Sequence, residues 1–416
     1  MKYQSIAAGS LLAGLASSQA TSTVASAPAG SPTVDLGYAR YVGYNNNTAG
    51  ISYWRGIPYA QPPVGDLRWQ KPRNIESKND FNGKLFNATE IAPGCYQSQP
   101  ESIYMAPSAN TNYVGQDCDR MKRRKANDSQ PARQDEDCLT LDVLKPMNAS
   151  SNRLPVVVQI HGGGYTEGYA NSYPGDALVH ASSSSEGIIY VSIQYRLGIF
   201  GFLGGSQIKE NGVLNAGLLD QRNALEWVQR NIRSFGGDPS RVTIWGGSAG
   251  GGSVTFQLTA NAAVDTAPFA AAIAEYPWWQ PLLNQSEQDS QLFKAFQLSN
   301  CSSVTCLRGL EGSDLAVLGQ QVINASYPGP ELGYGVFYYG PVVDGTFVPN
   351  LPGRAFDLGQ FYDVPLLVDH EAYEGYIFSN MSQTTQVQEV ADARDLFPYA
   401  GPAFFSRLFQ LYPASD

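Results

Sequence analysis

The chain has 416 residues, 43% hydrophobic and 12% aromatic, which is ample for a large core in one α/β unit. A formal net charge of −10 argues against a nucleic-acid partner. Five cysteines and three histidines show no zinc-ligand spacing, so no metal site is expected.

Residues 1–20 read as a signal peptide. Lys2 supplies a positive start, Ile6 to Leu15 a short apolar core, and Ser18-Gln19-Ala20 a small-residue cleavage site. The apolar core is too short to span a membrane, and no later run is long enough, so no transmembrane segment is expected. Sequons at Asn46, Asn87, Asn127, Asn148, Asn284, Asn300, Asn324 and Asn380 agree with a secreted, extracellular chain, and each needs a surface position if used. In that oxidising setting Cys301 and Cys306 can close a short loop and Cys95 can reach Cys138, leaving Cys118 over.

Residues 21–36, rich in Ser, Ala, Pro and Thr, read as a flexible lead-in. Tyr38 to Trp69 reads as ordered. Its stretch from Trp54 to Trp69 is so dense in proline and glycine that a stiff irregular segment pinned by aromatics is expected, not a helix or strand. Residues 97–135 are polar, and the basic run Met121 to Lys125 reads as a solvated loop. Glu136 to Val143 alternates like a strand, and Pro155 to Ile160 is a more apolar strand of the kind buried on both faces. Ile188 to Ile193 is a further buried strand. His180 lies in a polar helix-like stretch just before it. Leu218, Leu225, Val228 and Ile232 fall on one helical face before the stop at Phe235-Gly236-Gly237-Asp238-Pro239. Arg241 to Trp245, Ala271 to Ala274 and Val364 to Val368 are the remaining strands. Strand, helix, strand in this order predicts a parallel sheet.

The chemistry is concentrated at two glycine-rich strand ends. Val242 to Trp245 runs into Gly246-Gly247-Ser248-Ala249-Gly250, the pattern of a nucleophile elbow: strand, strained turn, helix. Gly246 and Gly250 are the nearly side-chain-free neighbours that such a turn needs, and Ser248 is the candidate nucleophile. The strand at 155–160 ends in His161-Gly162-Gly163-Gly164. Glycines let backbone amides approach a substrate oxygen, so Gly163 and Gly164, with Ala249 just after the serine, are the candidate oxyanion-hole donors.

With these motifs in hand, the chain resembles the type-B carboxylesterase/lipase family of α/β-hydrolases. The resemblance is carried in order by Gly56-Ile57-Pro58-Tyr59-Ala60 with Pro62 to Arg68, Glu136 to Leu141, the glycine triplet, Tyr195-Arg196-Leu197-Gly198, Asn215 to Gln221, and Phe235 to Pro239. It implies an α/β-hydrolase fold over 37–416 with a mostly parallel central sheet flanked by helices, Cys95–Cys138 and Cys301–Cys306 disulfides, no cofactor, and a small-molecule or lipid ester as substrate. It also places a lid within 81–115 and the wall of an acyl pocket at Pro277-Trp278-Trp279. The orienting acid implied is Glu374 of Glu374-Gly375, with Glu371 as a second candidate. The family usually carries Glu before the nucleophile, and Gly247 departs from that.

In this family the order is serine, acid, histidine, with the base roughly a hundred residues beyond the acid. No histidine stands there: His161 belongs to the glycine loop, and His180 and His370 are the other two. His370, near Glu374, is a substitute candidate. Two outcomes are expected from this: a secreted serine carboxylic-ester hydrolase acting through Ser248, or an inactive, C-terminally incomplete or binding-type member without the triad histidine.

Overall fold

The computed structural model describes residues 22–81, 83–99, 133–261, 266–327, 332–380, 383–397 and 400–413. The leader-like residues 1–20, Met121 to Lys125, Cys118, Asn127 and the expected lid stretch beyond Gln99 lie outside the described residues.

The centre is an eight-stranded sheet whose inner strands are largely apolar. Its strands are β1 (Tyr44–Asn46), β2 (Ile51–Pro58), β3 (Thr140–Pro146), β4 (Leu154–Ile160), β5 (Ile189–Ile193), β6 (Gly237–Gly247), β7 (Ala271–Glu275) and β8 (Leu366–Val368). Their spatial order is β8-β7-β6-β4-β5-β3-β2-β1. The pairs from β8 to β5 are parallel, and the remaining three are antiparallel. A parallel sheet is covered on both faces, which is why β5 is buried at every residue. Helices α1 (Asp176–Ser182), α2 (Ala216–Asn231) and α3 (Ala249–Thr259) supply connections. The apolar face read on α2 is buried, and Gly236, at φ +87°, ends the turn that follows it.

Three expectations change. Thr33–Asp35, inside the presumed lead-in, pairs antiparallel with Arg40–Val42, and Val34 is buried there. Thr23 forms a further bridge to Phe86. Trp54 to Pro58 is strand, not irregular chain. Gly56, at φ +68°, absorbs a register shift between Trp54 and Ile57, and Pro58 sits at the strand's last residue, where its missing N–H costs little. The strand read from Glu136 begins only at Thr140. It does not alternate, because both of its faces are covered.

Buried ion pairs explain much of the remaining sequence pattern. Arg196 and Asp220 meet at 2.7 Å with both side chains excluded from solvent. Arg68 meets Glu136 at 2.6 Å and donates to the carbonyls of Leu307, Arg308 and Leu310. Both disulfides form, Cys95–Cys138 and Cys301–Cys306. Asn46, Asn148, Asn284, Asn300 and Asn324 are exposed. No described helix is long and apolar enough to cross a membrane.

Candidate active site

The C-terminal ends of β4, β6, β7 and β8 lie side by side and carry the candidate residues. Strand β6 ends at Gly247, and Ser248 adopts φ 57°, ψ −125° before α3 begins. That backbone region is costly for a residue with a side chain and persists only where its surroundings impose it. Here they do. The Ser248 N–H donates to the Glu275 carbonyl, and the Ser248 carbonyl accepts from the N–H groups of Gly252 and Trp278. The neighbours must be bare. A Cβ on Gly246 would fall 2.4 Å from the Gly250 carbonyl carbon, and one on Gly250 would fall 2.2 Å from the Ile160 oxygen.

After β4 the glycine triplet turns back over the elbow. Gly163 and Gly164 take φ +106° and +61°, and the Gly163 carbonyl accepts from Thr166 and Glu167. Their own N–H groups donate to no described residue. Ala249 is the first residue of α3, so its N–H has no intrahelical acceptor either. A Cβ on Gly162 would stand 3.2 Å from Ser248 Cβ, so loop and elbow are in contact. Backbone donors of two segments therefore border one serine.

The candidate acid lies two strands away. Glu374 follows β8 and is exposed; its Oε1 accepts the Glu371 N–H at 3.0 Å. No hydrogen bond links it to Ser248 or to a histidine among the described residues. His161 is fully buried, stacked on Tyr195, with Nδ1 2.9 Å from the Gly162 carbonyl. Burial pulls its imidazole down to about 4, so near neutrality it is uncharged. His180 is exposed on α1. His370 is exposed on the acid loop, with Nδ1 3.1 Å from the Glu371 carbonyl. None of the three is hydrogen-bonded to Ser248 or Glu374 among the described residues.

The two tryptophans separate. Trp279 leans on Phe256 of α3, in the core. Trp278 packs on the buried Phe337, edge to face, with ring centroids 4.9 Å apart. Phe337 also covers Gly164: a Cβ there would land 2.0 Å from its ring. Phe337 was not legible in the sequence, because nothing local marks a residue that packs on a loop so far upstream. Tyr173 and Tyr276, which touch the glycine loop and the elbow, were missed for the same reason.

A serine on a strained strand-to-helix turn, under a glycine loop at the carboxyl edge of this sheet, defines an α/β-hydrolase. The carboxylesterase family pattern matches residues 30–400. Carboxylesterase patB of Penicillium expansum is 37% identical over 382 residues, covering 85% of this chain and 66% of that protein. Secreted lipase 1 of Botryotinia fuckeliana is 33% identical, covering 92% and 67%. The crystal structure of Aspergillus niger EstA superposes with a TM-score of 0.76 at 32% identity, over 93% of this chain and 68% of that one. The chain belongs to the carboxylesterase family. It spans about two thirds of the length of the curated relatives it matches.

Proposed function

We propose that this chain is a secreted serine carboxylic-ester hydrolase. The Ser248 Oγ adds to the ester carbonyl carbon, and the carbonyl oxygen, now negative, is received by the N–H groups of Gly163, Gly164 and Ala249. The bond to the alcohol oxygen then breaks, the alcohol leaves with the proton taken from Ser248, and water hydrolyses the acyl-serine to the acid. Glu374 is assigned as the acid that would orient a histidine base, a role none of His161, His180 and His370 fills by hydrogen bond among the described residues. The observation that carries the reading is the pairing of the strained Ser248 with Gly163 and Gly164 amides that have no described acceptor.

Secretion is supported by the leader-like residues 1–20, the two disulfides, the exposed sequons and a relative named as a secreted lipase. The substrate class, small-molecule or lipid ester, follows relatives named both carboxylesterase and lipase. Trp278 and Phe337 beside the oxyanion loop are assigned as the wall that limits acyl size. Trp278→Ala is expected to shift the kcat/KM ratio of hexanoate to acetate esters by roughly tenfold or more. Trp279→Ala, on the core side, is expected to leave that ratio unchanged.

A second reading, a family member that binds without turnover, is favoured by one observation: no histidine is hydrogen-bonded to Ser248 among the described residues. A fluorophosphonate separates the two. The folded chain is treated with the probe, with and without added imidazole as a diffusible base, and the modified peptide is identified by mass. An adduct at Ser248 that imidazole accelerates and Ser248→Ala abolishes supports the hydrolase. No adduct under either condition sinks it and leaves the binding reading.

A further inference from the structure

The glycine just before the nucleophile is occupied from outside. A Cβ built on Gly247 would fall 2.5 Å from the Tyr276 phenol oxygen, 2.7 Å from its Cζ and 3.0 Å from a further ring carbon. The Tyr276 ring thus lies where any side chain at position 247 would stand. Tyr276 is itself held in an unusual backbone conformation, φ 32°. Its N–H donates to both the carbonyl and the Oδ1 of Asp369, at 3.1 and 3.0 Å, so it fastens the end of β7 to the start of the acid loop.

The phenol continues the connection. The Tyr276 phenol neighbours that of Tyr173, whose hydroxyl oxygen would stand 3.4 Å from a Cβ on Gly162. Tyr173 in turn is anchored by its backbone carbonyl, which accepts the Tyr190 hydroxyl at 2.6 Å. Burial holds both phenols above their ordinary range, so each keeps its proton near neutrality. One pair of tyrosines therefore touches the elbow at Gly247, the oxyanion loop at Gly162 and the acid loop at Asp369.

We infer that Tyr276, through Tyr173, is a positioning residue that sets the distance between the nucleophile elbow and the oxyanion loop, and that Gly247 is glycine to admit its ring. This deepens the Ser248 reading and rests on it for its rate readout. Neither tyrosine touches the reacting atoms, so the effect is one of geometry, and small displacements of a reacting group are costly in rate.

The test measures the second-order rate of Ser248 phosphonylation, with imidazole present, and the urea midpoint. The variants are wild type, Gly247→Ala, Tyr276→Ala, the double variant and Tyr276→Phe. Gly247→Ala is expected to slow labelling about tenfold or more, and adding Tyr276→Ala to recover much of that loss, since the ring it collides with is gone. Tyr276→Phe keeps the ring and loses the hydroxyl; labelling is expected to slow roughly threefold to tenfold with the urea midpoint unchanged. Additive losses in the double variant, or a Tyr276→Phe rate equal to wild type, overturn the inference. If wild type itself is not labelled, it is the Ser248 reading that has failed. The urea midpoints then decide on their own: coupling between positions 247 and 276 retains the brace, and additivity removes it.

Discussion

The two sides of the candidate site are held very differently. On the nucleophile side, β6 is flanked by β4 and β7, and every residue of α3 is buried. On the acid side, β8 is the edge strand, pairing only with β7 among the described strands, and Leu366, Leu367 and Val368 are 44%, 56% and 56% exposed. The helices beyond it, Gln386–Leu396 and Pro402–Leu411, contain no buried residue. Strain at Ser248 is tolerable because packing over-determines it from all sides, whereas nothing comparable confines Glu374. Among the described residues, the candidate nucleophile is held within the core and the candidate acid stands on an exposed loop. Substitutions on the two sides should therefore differ in their stability cost.

The largest effect is expected where a buried charge loses its partner. Asp220→Asn leaves Arg196 unpaired in the interior, and urea unfolding should show a loss of about 3–5 kcal/mol. A loss under 1 kcal/mol would mean that the core around α2 relaxes far more easily than its packing implies.

The pH dependence comes next. The folded chain holds His161 neutral down to about 4, whereas the unfolded chain protonates it near 6.5. Between those values the unfolded state binds the extra proton, so stability is full above pH 6.5, falls as pH drops toward 4, and levels off below. The whole window is worth roughly 3 kcal/mol. His161→Phe should flatten the stability curve between pH 6.5 and 4 by that amount relative to wild type. Parallel curves for the two proteins would contradict the buried, neutral histidine.

On the elbow itself, Gly250→Ala forces a methyl against the Ile160 carbonyl. It should cost roughly 1–3 kcal/mol and depress Ser248 labelling as well. The smallest effect is expected on the rim. Leu367→Lys, at an exposed edge position, should shift stability by no more than about 0.5 kcal/mol. A loss as large as that of Gly250→Ala would erase the contrast between the two sides.

Much of this was legible in the linear chain, for identifiable reasons. Strands β4, β5 and β6 announced themselves because a strand covered on both faces must be apolar at nearly every position. The elbow and the glycine triplet were legible because their backbones admit few residues other than glycine. Strand β2 was misread, since Pro58 and Gly56 are breakers by composition and only a strand end and a register shift make them tolerable. The start of β3 was misplaced for a related reason: Glu136 looks like one tooth of an alternating strand, but it is the buried partner of Arg68.

The sequence by itself determined the family, the order of the buried strands, the identity of the strained serine and the pairing of its glycine loop with it. Each is a local demand, written in residues that few others can replace. Tertiary structure alone decided which charges pair in the interior and that Trp278, not Trp279, faces Phe337. It also decided that Tyr276 fills the space over Gly247 and that Glu374 stands on an exposed rim. Those outcomes depend on segments far apart in the chain meeting at van der Waals distance, and no local pattern records where two surfaces will touch.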